Sequence, residues 1–572
     1  MRAPLAPHWA DDLGVVRVLG GEPLGFEGFA SRALFTLVDA LPAGTRVARA
    51  AWIGSAAAGV VALALYALGR RLLVARGASA LAAALVPLAG ALTATLGPAF
   101  QLAAATPGGA ALGAGLALAA LWLALGPGLQ SGMAAFALGA LAAATAVEAR
   151  WTALALGAAL LVALLTRRVL PEPRRVALFL VGAFLPLAYP AFRIVRSAAV
   201  APGGLRELLL PLGEGRAFFE TGIALTRFTN DAGLLVAGSA LGGLVLGVLD
   251  RRTRAVALPL LALVLVDAAC GAPPRALVDA DLRVGVRLLA LAAFAVSAVV
   301  GFHGALRALS SVRVPFARTA QALVAVYGLT LVFVALERSS GAVEARSESR
   351  ASLWSQRLLD SVPSKSALLV RSAPTYLRLR AARLTGEVRT DALLVPTAYA
   401  HEPSIQREVL AHEPAAFPVL RDLLLAGRPS EHALSTLADA RPTFVELDPS
   451  WDPRLYKHLV PGEFLSQFSP HPLGRSDRRL EQELAARASE KATDDVLDWG
   501  IGRDPATRAM LLSAMTERAL LLGTLGDREG ARRATEAILA LDPDAMVGRR
   551  LQAHLADPDR ERLDLRDLLA AR

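Results

Sequence analysis

The stretch Val47–Arg76 reads VARAAWIGSAAAGVVALALYALGRRLLVAR, and it decides the class of the whole chain. Between 47 and 68 only Arg49 is charged. A helix needs roughly 20 apolar residues to cross a hydrocarbon core, so this segment reads as a membrane span. It ends in Arg70, Arg71 and Arg76, the kind of basic cluster that marks the cytoplasmic end of a span. Working outward, the same pattern recurs at approximately 79–100, 108–126, 132–148, 151–166, 176–195, 232–249, 255–270, 286–306 and 319–336. About ten spans are expected, and the fold class is a polytopic α-helical membrane protein with a soluble C-terminal part.

The composition agrees. The chain has 572 residues, 54% of them hydrophobic and 19% charged, with a mean hydropathy of +0.46. So apolar a chain excludes an ordinary soluble enzyme. Residues 47–337 are mostly Ala, Leu, Val and Gly, whereas from Arg338 onward the chain is ordinarily polar. A formal charge of +10 and a pI near 10.4 are compatible with nucleic-acid binding on their face. The arginines of the first half, however, stand in short clusters between apolar segments, so the partner is the lipid bilayer and no nucleic acid is expected. Cys270 is the single cysteine, which excludes a disulfide framework and a cysteine-based metal site.

Orientation follows from those clusters. Arg70, Arg71 and Arg76 follow the first span, and Arg167, Arg168, Arg174 and Arg175 the fifth. Arg251, Arg252 and Arg254 follow the seventh, and Arg307, Arg313 and Arg318 the ninth. Threading about ten spans puts all four clusters on one side, the cytoplasm. The other side receives residues 1–46, the turn Gln101–Pro107, loops at about 196–231 and 271–285, and the C-terminal domain. The Ala/Arg/Leu-rich composition looks like bacterial coding bias, so a bacterial inner membrane is expected, and the orientation makes the C-terminal domain periplasmic. The outer N-terminal tail has no signal peptide or span before it. Either the first span inserts N-terminus-out or a helix precedes this sequence, and the second is favoured.

Four regions are expected: an outer segment 1–46, a helical bundle 47–337, a soluble α/β domain 338–475 and a helical region 476–572. In the third, Ser366–Arg371, Asp391–Pro396 and Thr443–Leu447 read as buried strands, and 375–384, 406–426 and 430–439 as helices. In the fourth, Gly526, Asp527, Ala531, Ile538 and Pro543 fit the second helix of a tetratricopeptide-like hairpin packed on the α/β part.

Chemistry is best sought in the outer tail, His8-Trp9-Ala10-Asp11-Asp12, followed by Leu19-Gly20-Gly21-Glu22-Pro23-Leu24-Gly25-Phe26. Adjacent carboxylates beside a bundle suit a general base or a divalent cation. The alternative is a solvated loop with a helix N-cap. Phe26–Leu41 is amphipathic, with Phe26, Phe29, Ala33, Leu34 and Leu37 on one side, as in a helix lying flat in the interface. Among polar residues near span ends, Asp267 is a candidate, and Glu148 with Arg150 reads as an interfacial pair.

Here the sequence resembles the GT-C membrane glycosyltransferases, most closely the bacterial protein-O-mannosyltransferase-like family of unknown function. Trp9 and Asp11 match that family's Trp-x-Asp element, and Leu19, Gly20, Pro23, Gly25 and Phe26 match its Gly/Pro turn. The Pro-x-x-Arg pattern at Pro190–Arg193 and a strand after Pro363 also look familial. The chain departs from the pattern at Gly14, where a second acid is usual, at Glu22, which replaces a histidine, and at the bland Gln101–Pro107. The resemblance implies sugar transfer from a polyprenyl-phosphate carrier to an envelope protein or glycan acceptor at the outer face. It makes Asp11 the base, with Asp12 or Glu22 assisting or holding a divalent cation. Carrier phosphate calls for arginines, because a guanidinium grips phosphate oxygens in pairs. Arg193 and Arg196 come first, then Arg227 and Arg283. The rival readings are a degenerate membrane scaffold that recruits partners through its soluble domain, and a transporter or flippase.

Overall fold

Each apolar segment of the first half becomes a helix. The computed structural model describes residues 12–20, 28–42, 44–108, 110–126, 131–167, 172–198, 224–269, 277–310, 314–347, 350–386, 389–448, 450–474, 483 and 504–557. Two helices precede the bundle, α1 (Asp12–Leu19) and α2 (Phe29–Val38). There follow α3 (Arg46–Ala75), α4 (Ala80–Leu96), α5 (Pro98–Ala105), α6 (Ala110–Leu125), α7 (Gly132–Glu148), α8 (Arg150–Arg167) and α9 (Pro173–Ala198). Then come α10 (Ala224–Ala232), α11 (Leu234–Leu249), α12 (Arg254–Ala269), α13 (Leu277–Ser310) and α14 (Val314–Ser347).

By length and composition, 3 of these are long and apolar enough to cross a membrane, or 4 if the bent pair α4–α5 is one span. Others, such as α6 and α11 at 16 residues each, are shorter than a bilayer core. The expected span at 79–100 is broken: α4 and α5 meet at 57°. Pro98 brings no N–H and so cannot continue the ladder. The buried Gln101 side chain donates instead to the Thr95 carbonyl at 2.7 Å. The turn expected at Gln101–Pro107 is therefore mostly helix. α7 and α9 cross with backbones nearly touching: a Cβ on Gly139 would sit 2.0 Å from the Phe179 carbonyl oxygen, and one on Gly182 2.1 Å from that of Phe136.

Contacts at the two ends follow the arginine sorting. At one end Glu148 meets Ser31, Asp267 meets Ala224, and Arg338 donates to the carbonyls of Asn230 and Asp231 at 2.8 Å each. At the opposite end Arg76 faces Asp250 at 3.6 Å. In α2, Phe29, Ser31 and Phe35 are buried while Leu34 and Leu37 stay exposed. An apolar face turned away from the protein is what an interfacial helix requires.

The bundle's last helix runs on to Ser347, so the boundary expected at 337 falls later. Beyond it lie α15 (Ala351–Asp360), β1 (Ala367–Val370), α16 (Ala373–Thr385), β2 (Leu393–Pro396), α17 (Pro403–His412), α18 (Phe417–Ala426), α19 (Glu431–Ala440) and β3 (Thr443–Val445). Two short strands, β4 (Leu459–Val460) and β5 (Ser466–Phe468), complete a sheet of order β2-β1-β3-β5-β4. β1 is parallel to β2 and β3, and β5 is antiparallel to β3 and β4. The helix expected over 406–426 is divided into α17 and α18, with Pro414 between them.

The C-terminal helices are α20 (Pro505–Leu525), α21 (Arg528–Leu541) and α22 (Met546–Ala556). Gly526, at φ +82°, ends α20, and Asp527 caps α21 by accepting from the Gly530 N–H at 3.0 Å. Ala531 and Ile538 are buried, so a helical hairpin stands at the expected place. It docks on the sheet through Glu517 of α20. One carboxylate oxygen accepts from the Leu447 N–H at 3.2 Å and the other pairs with Arg371 at 3.4 Å, both beyond the carboxyl ends of the parallel strands.

Candidate functional site

The segment DLGVVRVL is short, apolar and capped by an acid, and it folds as α1 with every residue buried. Its neighbours are the bundle on one side and the soluble domain on the other. Gly14 makes the first contact possible, since a Cβ there would lie 1.8 Å from the Pro107 carbonyl oxygen. No side chain therefore fits at Gly14. On the far side, Asp12, 1% exposed, pairs with the fully buried Arg378 of α16 at 3.0 Å. Arg17, also buried, packs against Gly28, whose φ of +80° opens α2. The Gly28 N–H donates to the Glu148 carbonyl at 3.1 Å. The Glu148 carboxylate accepts from the Ser31 N–H at 2.8 Å and from the Ser31 hydroxyl, and so fastens the start of α2 to the top of α7.

The soluble domain brings its own charged and phenolic groups to this junction. Arg380 donates to the Tyr376 hydroxyl at 2.6 Å and pairs with Glu408 at 2.8 Å. The rings of Tyr376 and Tyr399 lie 5.3 Å apart. Burial pushes the Tyr376 phenol up to about 12 and the Glu402 carboxyl up to about 7. None of Arg17, Arg378, Tyr399 and Glu402 is marked by a motif. The only signal for the pair to Asp12 is that APTYLRLRAARLT carries Arg378 between Leu377 and Leu379.

The expected site residues are thus only partly brought together. Asp11 and Glu22 lie outside the described residues. Arg193 and Arg196 stand on the closing turns of α9, and Arg283 on the opening turns of α13; their side chains are outside the described set. Arg227 pairs with Asp231 one turn on, at 3.3 Å, so its charge is engaged within α10. Asp267 is buried, accepts from the Ala224 N–H at 2.6 Å and has Arg287 at 3.9 Å, so it caps the start of α10 rather than facing a ligand.

A divalent cation at Asp11 and Asp12 fits poorly. The Asp12 carboxylate already faces a buried guanidinium, which would repel the ion. Among the described residues no group of three or more His, Cys, Asp or Glu could hold a metal.

No protein-family profile matches the chain, and no curated protein does. Solved structures do show likeness. ArnT from Cupriavidus metallidurans bound to undecaprenyl phosphate is similar at 11% identity and a TM-score of 0.44, over 71% of this chain and 90% of that one. Its apo state gives 13% identity and 0.44, over 72% and 91%. The apo oligosaccharyltransferase of Archaeoglobus fulgidus gives 12% identity and 0.39, over 67% of this chain, which spans 60% of that protein's length. These neighbours are GT-C fold glycosyltransferases, the class expected from Trp9, Asp11 and the Leu19–Phe26 turn.

Proposed function

We propose that the chain is a GT-C-type glycosyltransferase that moves a sugar from a polyprenyl-phosphate carrier to an acceptor at the outer face of the bacterial inner membrane. The observation that supports this reading most is the buried Asp12–Arg378 pair, which clamps the acid-bearing start of α1 where bundle and soluble domain meet. Burying a charge is costly, so the pair holds α1 in one register against α16.

In this reading Asp11 is the base and Asp12 is a positioning residue, because the Asp12 carboxylate is engaged by the buried Arg378 guanidinium. The acceptor hydroxyl gives its proton to Asp11, and its oxygen forms a bond to the anomeric carbon. The bond from that carbon to the phosphate oxygen breaks, and polyprenyl phosphate leaves. Arg193 and Arg196 bind the carrier phosphate, with Arg283 in support and Glu22 beside the acceptor. Arg227 and Asp267 shape α10.

A scaffold is the second reading, and the same burial favours it: in this conformation Asp12 is closed off from any substrate. Polyprenyl phosphate itself separates the two. The purified protein should melt at a higher temperature with undecaprenyl phosphate than with undecaprenol, which has the same tail and no phosphate. Equal melting with both would remove the carrier from the account and leave the scaffold.

A further inference from the structure

Two nitrogens at the arginine-rich end of the bundle are buried without a hydrogen bond. One is Nη1 of Arg76, the residue that follows α3. It faces Asp250 at 3.6 Å, a charge contact too long for a hydrogen bond, and the Arg76 side chain is only 14% exposed. The other is Nδ1 of His303 in α13, a residue 8% exposed. Buried donors and acceptors left unmet cost stability, so both call for a partner.

Packing brings the two side by side. Leu73, Ala83 and Val299 form one small apolar cluster, and a Cβ on Gly69 would lie 3.6 Å from the Val299 side chain. Both α3 and α13 run toward the arginine-rich end. One turn beyond that cluster α3 ends at Arg76 and α13 reaches His303, and a turn later α13 carries the exposed Arg307 on the same face. Arg76 and Arg307 both act on the imidazole. Membrane topology accounts for the exposed Arg251 and Arg252, but it does not require a guanidinium turned inward beside a histidine. Arg254 closes α11 by donating to the carbonyls of Val248 and Leu249 at 2.8 and 3.3 Å.

The surroundings select the ligand. Two guanidinia against the Asp250 carboxylate disfavour a cation. A phosphate offers oxygens to both arginines and to His303, whose Nδ1 donates in the tautomer that carries its proton there. Exposed Val74, Val245 and Leu249 flank the place where α3 and α11 end, at headgroup depth. Acyl chains can cover that apolar rim, and a free phosphate cannot.

We propose that Arg76, His303 and Arg307 form a site for the phosphate of an anionic lipid headgroup in the cytoplasmic leaflet. It lies at the opposite end of the bundle from α1 and stands whether or not the chain transfers sugar.

The test uses the full chain in detergent, with phosphatidylglycerol, phosphatidylcholine and inorganic phosphate as probes, melting temperature as one readout and lipid retention by native mass spectrometry as the other. Phosphatidylglycerol should raise the melting temperature of the wild type more than phosphatidylcholine. His303→Leu should melt no lower than wild type without lipid, because no hydrogen bond is lost. It should hold phosphatidylglycerol at least about fivefold more weakly, as should Arg307→Gln and the pair Arg76→Gln with Asp250→Asn, which leaves no acid unpaired. Arg251→Gln should bind like wild type. Equal weakening by Arg251→Gln, with His303→Leu unaffected, would mean diffuse attraction to the surface and overturn the site. Lower melting of His303→Leu without lipid, with unchanged binding, would make the histidine structural and overturn it too. Inorganic phosphate that matches phosphatidylglycerol in both readouts, or no preference between the two lipids, would remove the anionic lipid.

Discussion

Asp12 and Arg378 show what a single pair of residues can decide. Each is sealed from water, and each offsets the other's buried charge. Asp12→Asn or Arg378→Met alone should destabilise the protein by about 3–5 kcal/mol. Changing both together should cost clearly less than the sum, since no unpaired charge remains. Thermal melting of the four forms checks this. It also means that Asp11 and Asp12 must be replaced separately, because a double Asn variant would confuse lost chemistry with lost structure. The acid pair itself was legible in the sequence as an unusual feature of an outer segment. Its partner was not, because α16 carries Arg378, Arg380 and Arg383 at similar spacing and nothing local says which one turns inward.

Short elements were read less well than long ones, for reasons that are physical. β1, β2 and β3 are fully buried runs of Leu, Val and their like, and their apolar character betrays them. β4 and β5 are two and three residues long, below the length at which alternation can be recognised. The break between α4 and α5 was signalled by Gly97-Pro98 but hidden inside a continuous apolar stretch. Two predictions belong at this scale. Gly14→Ala should push α1 off the Pro107–Gly108 turn, which lowers the melting temperature and speeds proteolysis after residue 20. The hairpin should loosen as pH rises. Burial, with Glu446 adding to it, lifts the Glu517 carboxyl from 4.5 to about 8, against the opposing pull of Arg371 and the Leu447 N–H. The folded value lies above the unfolded one, so its contribution to docking is whole below about pH 4.5 and is lost as pH climbs through 8. Glu446 and Asp448 also act on Arg371 there. Limited proteolysis of residues 504–557 should therefore be faster at about pH 9 than at about pH 6, and Glu517→Gln should flatten the difference.

At the scale of the whole molecule, the arginine clusters sort the chain into two ends. The contacts of Ser31 with Glu148, Ala224 with Asp267, and Arg76 with Asp250 keep to that sorting. Charge asymmetry is set by the membrane and is local in the sequence, whereas the meeting of α1 with α16 depends on tertiary packing that no local pattern encodes. Cys270, which follows the α12 segment and lies outside the described residues, gives a test of sidedness. A membrane-impermeant maleimide should label it in intact cells; labelling only after lysis would invert the topology. The account as a whole stands on sugar transfer at the junction. The most direct measurement is the release of polyprenyl phosphate from radiolabelled polyprenyl-phosphate hexoses by the purified protein in proteoliposomes, with Asp11→Asn alongside. The account predicts turnover of at least one donor by the wild type and at least about a hundredfold loss in a variant that melts like wild type. Wild-type turnover in Asp11→Asn, or a folded wild type inert toward every donor, would contradict it.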